Sequence, residues 1–237
     1  MKKIIIIGAT SGIGRELARL YAGAGHLVGA TGRRHELLYS LQLEYPNHIE
    51  TECFDATGRN MSSHLSALVE KLEGLDMLIY NAGWGEPQEA LDYAVDKATV
   101  DINVNGFLEA IHFGWKLFLA QGHGQLVTTS SIASIRGNRV SPAYSASKAF
   151  QSVYFEGLHI KARKLQIPLY TTDVQPGFVD TNMAKGIRFW VAPADKAARQ
   201  IMTAIEKKRW RVYITHRWWL IAKIFKWIPS WLYHRIG

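Results

Sequence analysis

The sequence predicts a doubly wound α/β domain, a parallel sheet with helices on both faces, and three observations predict it. Strand-like apolar runs alternate with amphipathic helical stretches along most of the chain, the pattern of repeated strand, helix, strand units. The first run, Ile4-Ile5-Ile6-Ile7, is apolar at every position, as a strand covered on both faces must be. It leads straight into Gly8-Ala9-Thr10-Ser11-Gly12-Ile13-Gly14 and then a helical pattern, so a tight glycine turn joins a buried strand to a helix.

After that turn Leu17, Ala18, Leu20 and Tyr21 recur at helical spacing, and Gly23 and Gly25 close the helix before the apolar run Leu27 to Thr31. His35 to Glu44 predicts a helix that cannot pass Pro46. A strand follows over Ile49 to Phe54, a helix over Met61 to Leu72, and a strand over Met77 to Tyr80 that ends in Asn81-Ala82-Gly83. The pattern then predicts a helix over Ala98 to Ala120, a strand over Gln125 to Thr129 and a helix over Ala143 to Lys164. A strand over Leu169 to Val174, a helix over Ala194 to Lys207 and a strand over Arg211 to Ile214 complete the series. No repeat, low-complexity segment or linker interrupts it before residue 215.

The chain has 237 residues, 48% apolar and 20% charged, which suits one large domain and excludes disorder, collagen-like repeats and a disulfide-stapled miniprotein. Cys53 is the only cysteine, so neither an internal disulfide nor a cysteine-based zinc site forms, and no metal is expected. Met1-Lys2-Lys3 followed by isoleucines imitates a signal peptide, but the apolar run stops at Gly8; no targeting peptide or transmembrane helix is read, and the expected location is cytoplasmic. The net charge of +8 resides between Lys207 and Gly237, where cations meet no Asp or Glu, leaving 20 basic and 20 acidic residues before them. The body up to residue 206 is therefore neutral, and the expected organisation is one domain over residues 1–214 with a basic appendage over 215–237 that is not an independent domain.

A glycine turn between a buried strand and a helix lets the backbone approach a pyrophosphate, whose charge is favoured at the helix N-terminus. By itself the signal is weak: the spacing is Gly, three residues, Gly, one residue, Gly, and a bare tight turn explains it too. The end of the second strand adds to it. An acid there binds the ribose 2′-OH of NAD, whereas an arginine accommodates the 2′-phosphate of NADP. Thr31-Gly32-Arg33-Arg34 holds no acid before Glu36, so NADP(H) is favoured over NAD(H), with Arg33 as primary phosphate contact and Arg34 beside it. The competing reading is two solvated loop charges.

The most specific signal is Tyr144-Ser145-Ala146-Ser147-Lys148, with Ser131 thirteen positions upstream of the tyrosine. Tyr and Lys at i and i+4 share one helix face, so an ammonium there favours the phenolate. Tyrosine ordinarily titrates near about 10, so proton transfer close to neutrality requires a downward shift.

With these residues the chain resembles the short-chain dehydrogenase/reductase family, over roughly residues 1–214. Gly8-Ala9-Thr10-Ser11-Gly12-Ile13-Gly14 resembles the family's cofactor turn, and Asn81-Ala82-Gly83 its NAG motif. Asn103-Val104-Asn105-Gly106 resembles the motif whose first Asn is catalytic, and Pro176-Gly177-Phe178-Val179-Asp180-Thr181 the segment that holds the nicotinamide amide. Two positions depart from the family pattern: Ile7 stands where Thr is usual and Tyr80 where another Asn is common.

The resemblance implies a Rossmann-type fold and an oxidoreductase that moves hydride between a nicotinamide cofactor and a carbonyl or alcohol. It implies catalytic roles for Asn103, Ser131, Tyr144 and Lys148. Tyr144 gives its proton to the developing alkoxide, Ser131 polarises that oxygen, Lys148 lowers the Tyr144 pKa and binds the nicotinamide ribose, and Asn103 positions a water in the proton relay. Cofactor contacts are implied for Gly8, Thr10, Ser11, Gly12, Ile13, Gly14, Asp55, Ala56, Asn81, Ala82, Gly83, Tyr144, Lys148, Pro176, Gly177, Val179 and Thr181, with Asp55 on the adenine amine. The different-class alternative is a catalytically silent NADP(H)-binding redox sensor at a membrane surface, against which the intact Ser131, Tyr144 and Lys148 argue.

Between Thr181 and Pro193, Met183, Ile187, Phe189 and Trp190 point to an open apolar pocket for a lipophilic substrate, or else pack on the body. Beyond residue 206 lie Trp210, Trp218, Trp219, Trp227 and Trp231. On a helix over Arg217 to Ile228, Trp218, Leu220, Ile221, Ile224, Phe225 and Ile228 gather on one broad face with Lys223 and Lys226 opposite, the pattern of a helix lying in a bilayer interface. A helix that closes a dimer or lids the pocket fits the same residues. Nucleic-acid binding is the least favoured reading. The helices over Ala98 to Ala120 and Ala143 to Lys164 are candidates for a homodimer or homotetramer contact.

Overall fold

Seven parallel strands form one sheet in the order β3-β2-β1-β4-β5-β6-β7, in a computed structural model that describes residues 1–58, 60–181, 190–215 and 217–236. The strands are β1 (Lys3–Ile7), β2 (Leu27–Gly32), β3 (Ile49–Cys53), β4 (Met77–Tyr80), β5 (Gly124–Thr129), β6 (Leu169–Pro176) and β7 (Arg211–Ile214). β1 lies central, with Ile5 in register with Gly29 of β2 and Leu78 of β4. Its four isoleucines are buried, Ile4 and Ile6 in the core of one sheet face and Ile5 and Ile7 in that of the other. The strand alternation is thus satisfied by apolar layers on both sides.

The helices that supply those layers are α1 (Gly12–Gly23), α2 (His35–Glu44), α3 (Met61–Lys71), α4 (Tyr93–Val100), α5 (Phe107–Gln121), α6 (Pro142–Arg163) and α7 (Ala194–Glu206). One face is covered by α1, α2 and α7 through Leu17, Tyr21, Leu38, Leu41 and Ile201. The other is covered by α3, α5 and α6 through Leu65, Leu68, Phe107, Phe118 and Phe155. Each such side chain contributes roughly 1.5–3 kcal/mol on burial, and together they fix the sheet on which the strand ends are presented.

The helix expected over Ala98 to Ala120 is two helices and a wider turn. It starts earlier, at α4, because the Asp92 side chain accepts from the Ala94 nitrogen at 2.8 Å and caps that end. Residues Asp101–Gly106 then form a π-helical turn that places Asn103 in the interior. Tyr80 secures this turn: its hydroxyl donates to the Ile102 carbonyl and its ring meets Phe107 edge-on at 5.6 Å. The residue in place of the family's usual Asn therefore has a structural task.

The C-terminal appendage forms α8 (Arg217–Trp227) and α9 (Ser230–Ile236), separated at Pro229. The broad apolar face expected for α8 is divided. Trp218 and Ala222 are buried against Ile132, with Ile135, Phe178, Tyr213 and Ile221 packed around them, while Leu220 and Ile224 stay exposed at 55% and 49%. Tyr233 of α9 donates to the Gly137 carbonyl at 2.7 Å, and Arg136 stacks on its ring at 4.6 Å.

Candidate active site

β1, β4, β5 and β6 end on one side of the sheet, and the residues that follow them line a single cavity of about 1120 Å³. It lies over the junction of β1 with β4, where the strand order reverses and doubly wound sheets open a crevice.

Steric need dictates the glycine turn. Gly8 has φ of +89°, and a Cβ there would lie 2.7 Å from the Ala82 nitrogen. A Cβ on Gly14 would lie 2.1 Å from the Gly8 carbonyl oxygen. Only glycine at both lets β1, α1 and the Asn81-Ala82-Gly83 segment close on one another. Asn81 Nδ2 completes the closure by donating to the Gly8 carbonyl at 3.0 Å. Ser11, the N-cap of α1, makes no side-chain capping bond and the first turn holds no acid, so the leading N–H groups and positive helix end suit an anion. The cradle fits a pyrophosphate in shape and charge.

Arg34 is fastened to this turn, donating from Nη2 to Ser11 Oγ at 2.7 Å and from Nε to Thr10 Oγ1 at 3.2 Å. Arg33, the expected primary contact, is 62% exposed and reaches Asp55 only at 3.5 Å. Asp55 accepts from the nitrogen and hydroxyl of Thr57, each at 2.9 Å. Burial raises its pKa, but these bonds and the Arg33 charge prevail and hold it below the ordinary value.

Ser131 begins a single 3₁₀ turn, its Oγ accepting from the Ala133 nitrogen at 3.1 Å. Tyr144 and Lys148 lie near the start of α6, which opens with Pro142 where a missing N–H costs nothing. The Lys148 ammonium is 5.8 Å from the centre of the Tyr144 ring and donates to the Thr129 carbonyl at 2.9 Å and to Gln151 Oε1 at 3.1 Å. Asn103 is fully buried; its Nδ2 donates to the Trp84 carbonyl at 2.7 Å and Ser147 Oγ at 2.9 Å, and its Oδ1 accepts from the Trp84 nitrogen at 2.9 Å.

Burial dominates the electrostatics of Tyr144 and Lys148 in the chain itself. Burial pushes the Tyr144 phenol above its ordinary pKa, and the opposing hydrogen bond with Ser131 does not prevail. Burial also brings the Lys148 ammonium down to about 7, with the Asp173 charge opposing.

Gly14, Asp55 and Asn103 do not line the cavity; all the other site residues expected from sequence do. Met183, Ile187 and Phe189 lie outside the described residues, while Trp190 meets Trp218 edge-on at 6.1 Å.

Gln151 and Asp173 were not anticipated in these roles. Gln151 Nε2 donates to the Asn103 carbonyl at 2.8 Å, so its amide bridges Lys148 and Asn103. Asp173, buried within β6, accepts from Ser152 Oγ and Gln175 Nε2, each at 2.8 Å, from Arg211 Nε at 3.1 Å and from Ser130 Oγ. A carboxylate inside a buried parallel strand is a visible signal for such a network. Trp218 and Phe225 join the cavity wall from α8, the helix for which the sequence left a pocket-lidding role open beside membrane and dimer contact.

A family model described as short chain dehydrogenase matches residues 2–192. An uncharacterized oxidoreductase of Mycobacterium tuberculosis is 28% identical over 236 residues, covering 95% of this chain and 92% of the relative. One of Myxococcus xanthus is 33% identical over 189 residues, covering 76% of this chain and 72% of the relative. Among solved structures, a short chain dehydrogenase from Burkholderia cenocepacia in complex with NADP has a TM-score of 0.84 at 22% identity, covering 99% of this chain and 96% of that one. A 7β-hydroxysteroid dehydrogenase has a TM-score of 0.83 at 20% identity, covering 97% and 93%. The family match runs over most of a chain whose glycine turn, serine, tyrosine and lysine meet in one cavity, and the protein belongs to the short-chain dehydrogenase family of oxidoreductases.

Proposed function

We propose that the protein is an NADP(H)-dependent oxidoreductase that interconverts a carbonyl and an alcohol on a lipophilic small molecule. The observation that carries this reading is that one cavity holds Ser131, Tyr144 and Lys148 together with two arginines at the glycine turn. Arg34, fixed on Thr10 and Ser11, and the looser Arg33 suit a 2′-phosphate. NADPH, when bound, supplies the hydride. The chain then has to orient the carbonyl and protonate its oxygen: Ser131 donates a hydrogen bond to that oxygen, and the Tyr144 phenol, kept protonated by burial, gives it a proton. Apolar and aromatic walls suit a lipophilic skeleton.

Fluorescence titration with NADPH and NADH at fixed ionic strength tests the cofactor, using wild type, Arg33→Ala and Arg34→Ala. A preference for NADPH of about tenfold or more that falls in both variants is expected; equal binding of the two cofactors refutes it. Tyr144→Phe tests the chemistry and is expected to abolish turnover of a carbonyl that wild type reduces.

The outward face of α8 and α9 exposes Trp219, Leu220, Ile224, Trp227 and Trp231 beside Lys223, Lys226 and Arg235. No helix of the described residues is long and apolar enough to cross a membrane. The reading this face supports is contact with an anionic membrane surface, rings at the boundary and cations at the headgroups. A two-fold contact with a second copy would set like charges against each other, and Leu220 and Ile224 offer a nucleic-acid backbone nothing. Co-flotation with phosphatidylglycerol vesicles, lost in Trp227→Ala/Trp231→Ala, is the expected result; equal flotation of the two proteins removes the reading.

A further inference from the structure

The half of the cavity beyond Ser131 has apolar walls from Trp84, Ile132, Phe178, Trp218, Ile221 and Phe225. Two cations, part-buried Arg136 and exposed Arg139, line the cavity as well, and among the described residues no Asp or Glu lines any part of it. Arg136 is part-buried and forms no ion pair among the described residues. Among the described residues its hydrogen bonds, to the Ile228 carbonyl and Ser230 Oγ, are both 3.5 Å long, and its guanidinium lies over the Tyr233 ring. Guanidinium has five donors and always carries its charge. Taking it partly out of water without a carboxylate is unfavourable, and the uncompensated pair makes this end of the cavity positive.

These arginines are not the pair at the glycine turn. Arg33 and Arg34 follow β2, whereas Arg136 and Arg139 follow β5, three places along the sheet and past the catalytic serine. The tyrosine of α9 that supports Arg136 belongs to the same helices that supply the apolar wall. The pocket therefore combines a long apolar surface with a cation that lacks a counter-charge.

We propose that the substrate is an amphiphile that carries an anionic group, a carboxylate or a phosphate, besides its carbonyl. The carbon skeleton lies against Trp218 and Phe225, and the anion pairs with Arg136, with Arg139 adding positive potential at the mouth. The identity of the reacting group rests on the carbonyl reading above; the recognition of the anion does not.

The test is equilibrium binding of a dansyl-labelled medium-chain fatty acid and its methyl ester to the full chain. The acid is expected to bind wild type about tenfold or more tightly than the ester, the size of a charge-assisted hydrogen bond. In Arg136→Gln the ratio falls below about threefold, while Arg136→Lys keeps most of it. Competition by the unlabelled alkyl carboxylate and alkyl phosphate of equal length identifies the preferred anion. Equal or tighter binding of the ester to wild type overturns the proposal, whatever Arg136→Gln does to folding, and so does an acid preference unchanged in both Arg136→Gln and Arg139→Gln. A parallel assay follows NADPH-dependent reduction of medium-chain oxo acids and their esters. Acid-selective binding without reduction of any oxo acid keeps this inference and removes the carbonyl reading. Reduction of esters and neutral ketones without acid selectivity does the reverse.

Discussion

The indole of Trp218 fills the space where a side chain at Gly177 would begin: a Cβ on Gly177 would come within 2.1 Å of the ring. The C-terminal appendage is thereby docked on the segment after β6 that the family uses to hold the nicotinamide amide. Trp218 is 3% exposed and also meets Phe178 edge-on at 5.3 Å. Gly177→Ala is therefore expected to expel the indole and loosen α8. Overpacking of this kind costs about 1–3 kcal/mol, read as a lower urea midpoint with a red-shifted tryptophan emission. An Ala variant with wild-type emission and midpoint would refute the contact.

Lys148 gives the folded state a pH signature. Burial brings its pKa from 10.5 to about 7, so between those values the unfolded chain binds more protons than the folded one and stability rises with pH. Below about 7 both states hold the proton and the cost of burying the ammonium is constant. Lys148→Met removes this dependence. Wild type should gain stability relative to the variant as pH rises from about 7 towards 10.5, measured by urea unfolding. Parallel stability curves for the two proteins would contradict the burial of the ammonium.

Asp173 acts on the same lysine from within β6. Its charge raises the Lys148 pKa against the larger effect of burial, so Asp173→Asn is expected to lower that pKa further. If reduction needs the ammonium, the alkaline limb of kcat/KM moves to lower pH. The variant also leaves Arg211 without its buried partner, at a cost of about 3–5 kcal/mol. Ser152→Ala removes the hydroxyl's hydrogen bonds with Asp173, Gln175 and Arg211 but keeps the charge. It should lose stability without moving the limb, and a limb that moves equally in both variants would show that the network acts through packing alone.

The alternating pattern and the glycine turn made the sheet and its cofactor crevice legible, because β1 is apolar throughout and Gly8 and Gly14 are required sterically. The break inside Ala98 to Ala120 was not legible: Asp92 caps an earlier start, and Tyr80, distant in sequence, secures the π turn. Tyr144 and Lys148 were legible as neighbours from their spacing, but not in their protonation, which depends on how deeply the surrounding elements bury them. The divided face of α8 depends on Gly177, which leaves room for an indole some forty residues later in the chain. Helical periodicity shows that a face is apolar and not what it meets.

Gln151 connects Lys148 to Asn103, the residue to which the family resemblance gives a relay water. It has no exposed surface; Oε1 accepts from Lys148 Nζ at 3.1 Å and Nε2 donates to the Asn103 carbonyl at 2.8 Å. The Asn103 side chain is itself committed to Trp84 and Ser147. An amide holds the ammonium in place but does not pass a proton along as water does, so its role is positioning. Gln151→Leu keeps the bulk and leaves both the ammonium and the carbonyl short of a partner, a loss of about 1–3 kcal/mol. Turnover is expected to fall about tenfold with NADPH affinity unchanged. Gln151→Ala opens room for a water between the same two groups and should retain more activity than Gln151→Leu. Steady-state kinetics decide between a bridge and a filler: if Leu matches wild type and Ala falls below it, Gln151 serves only to fill space.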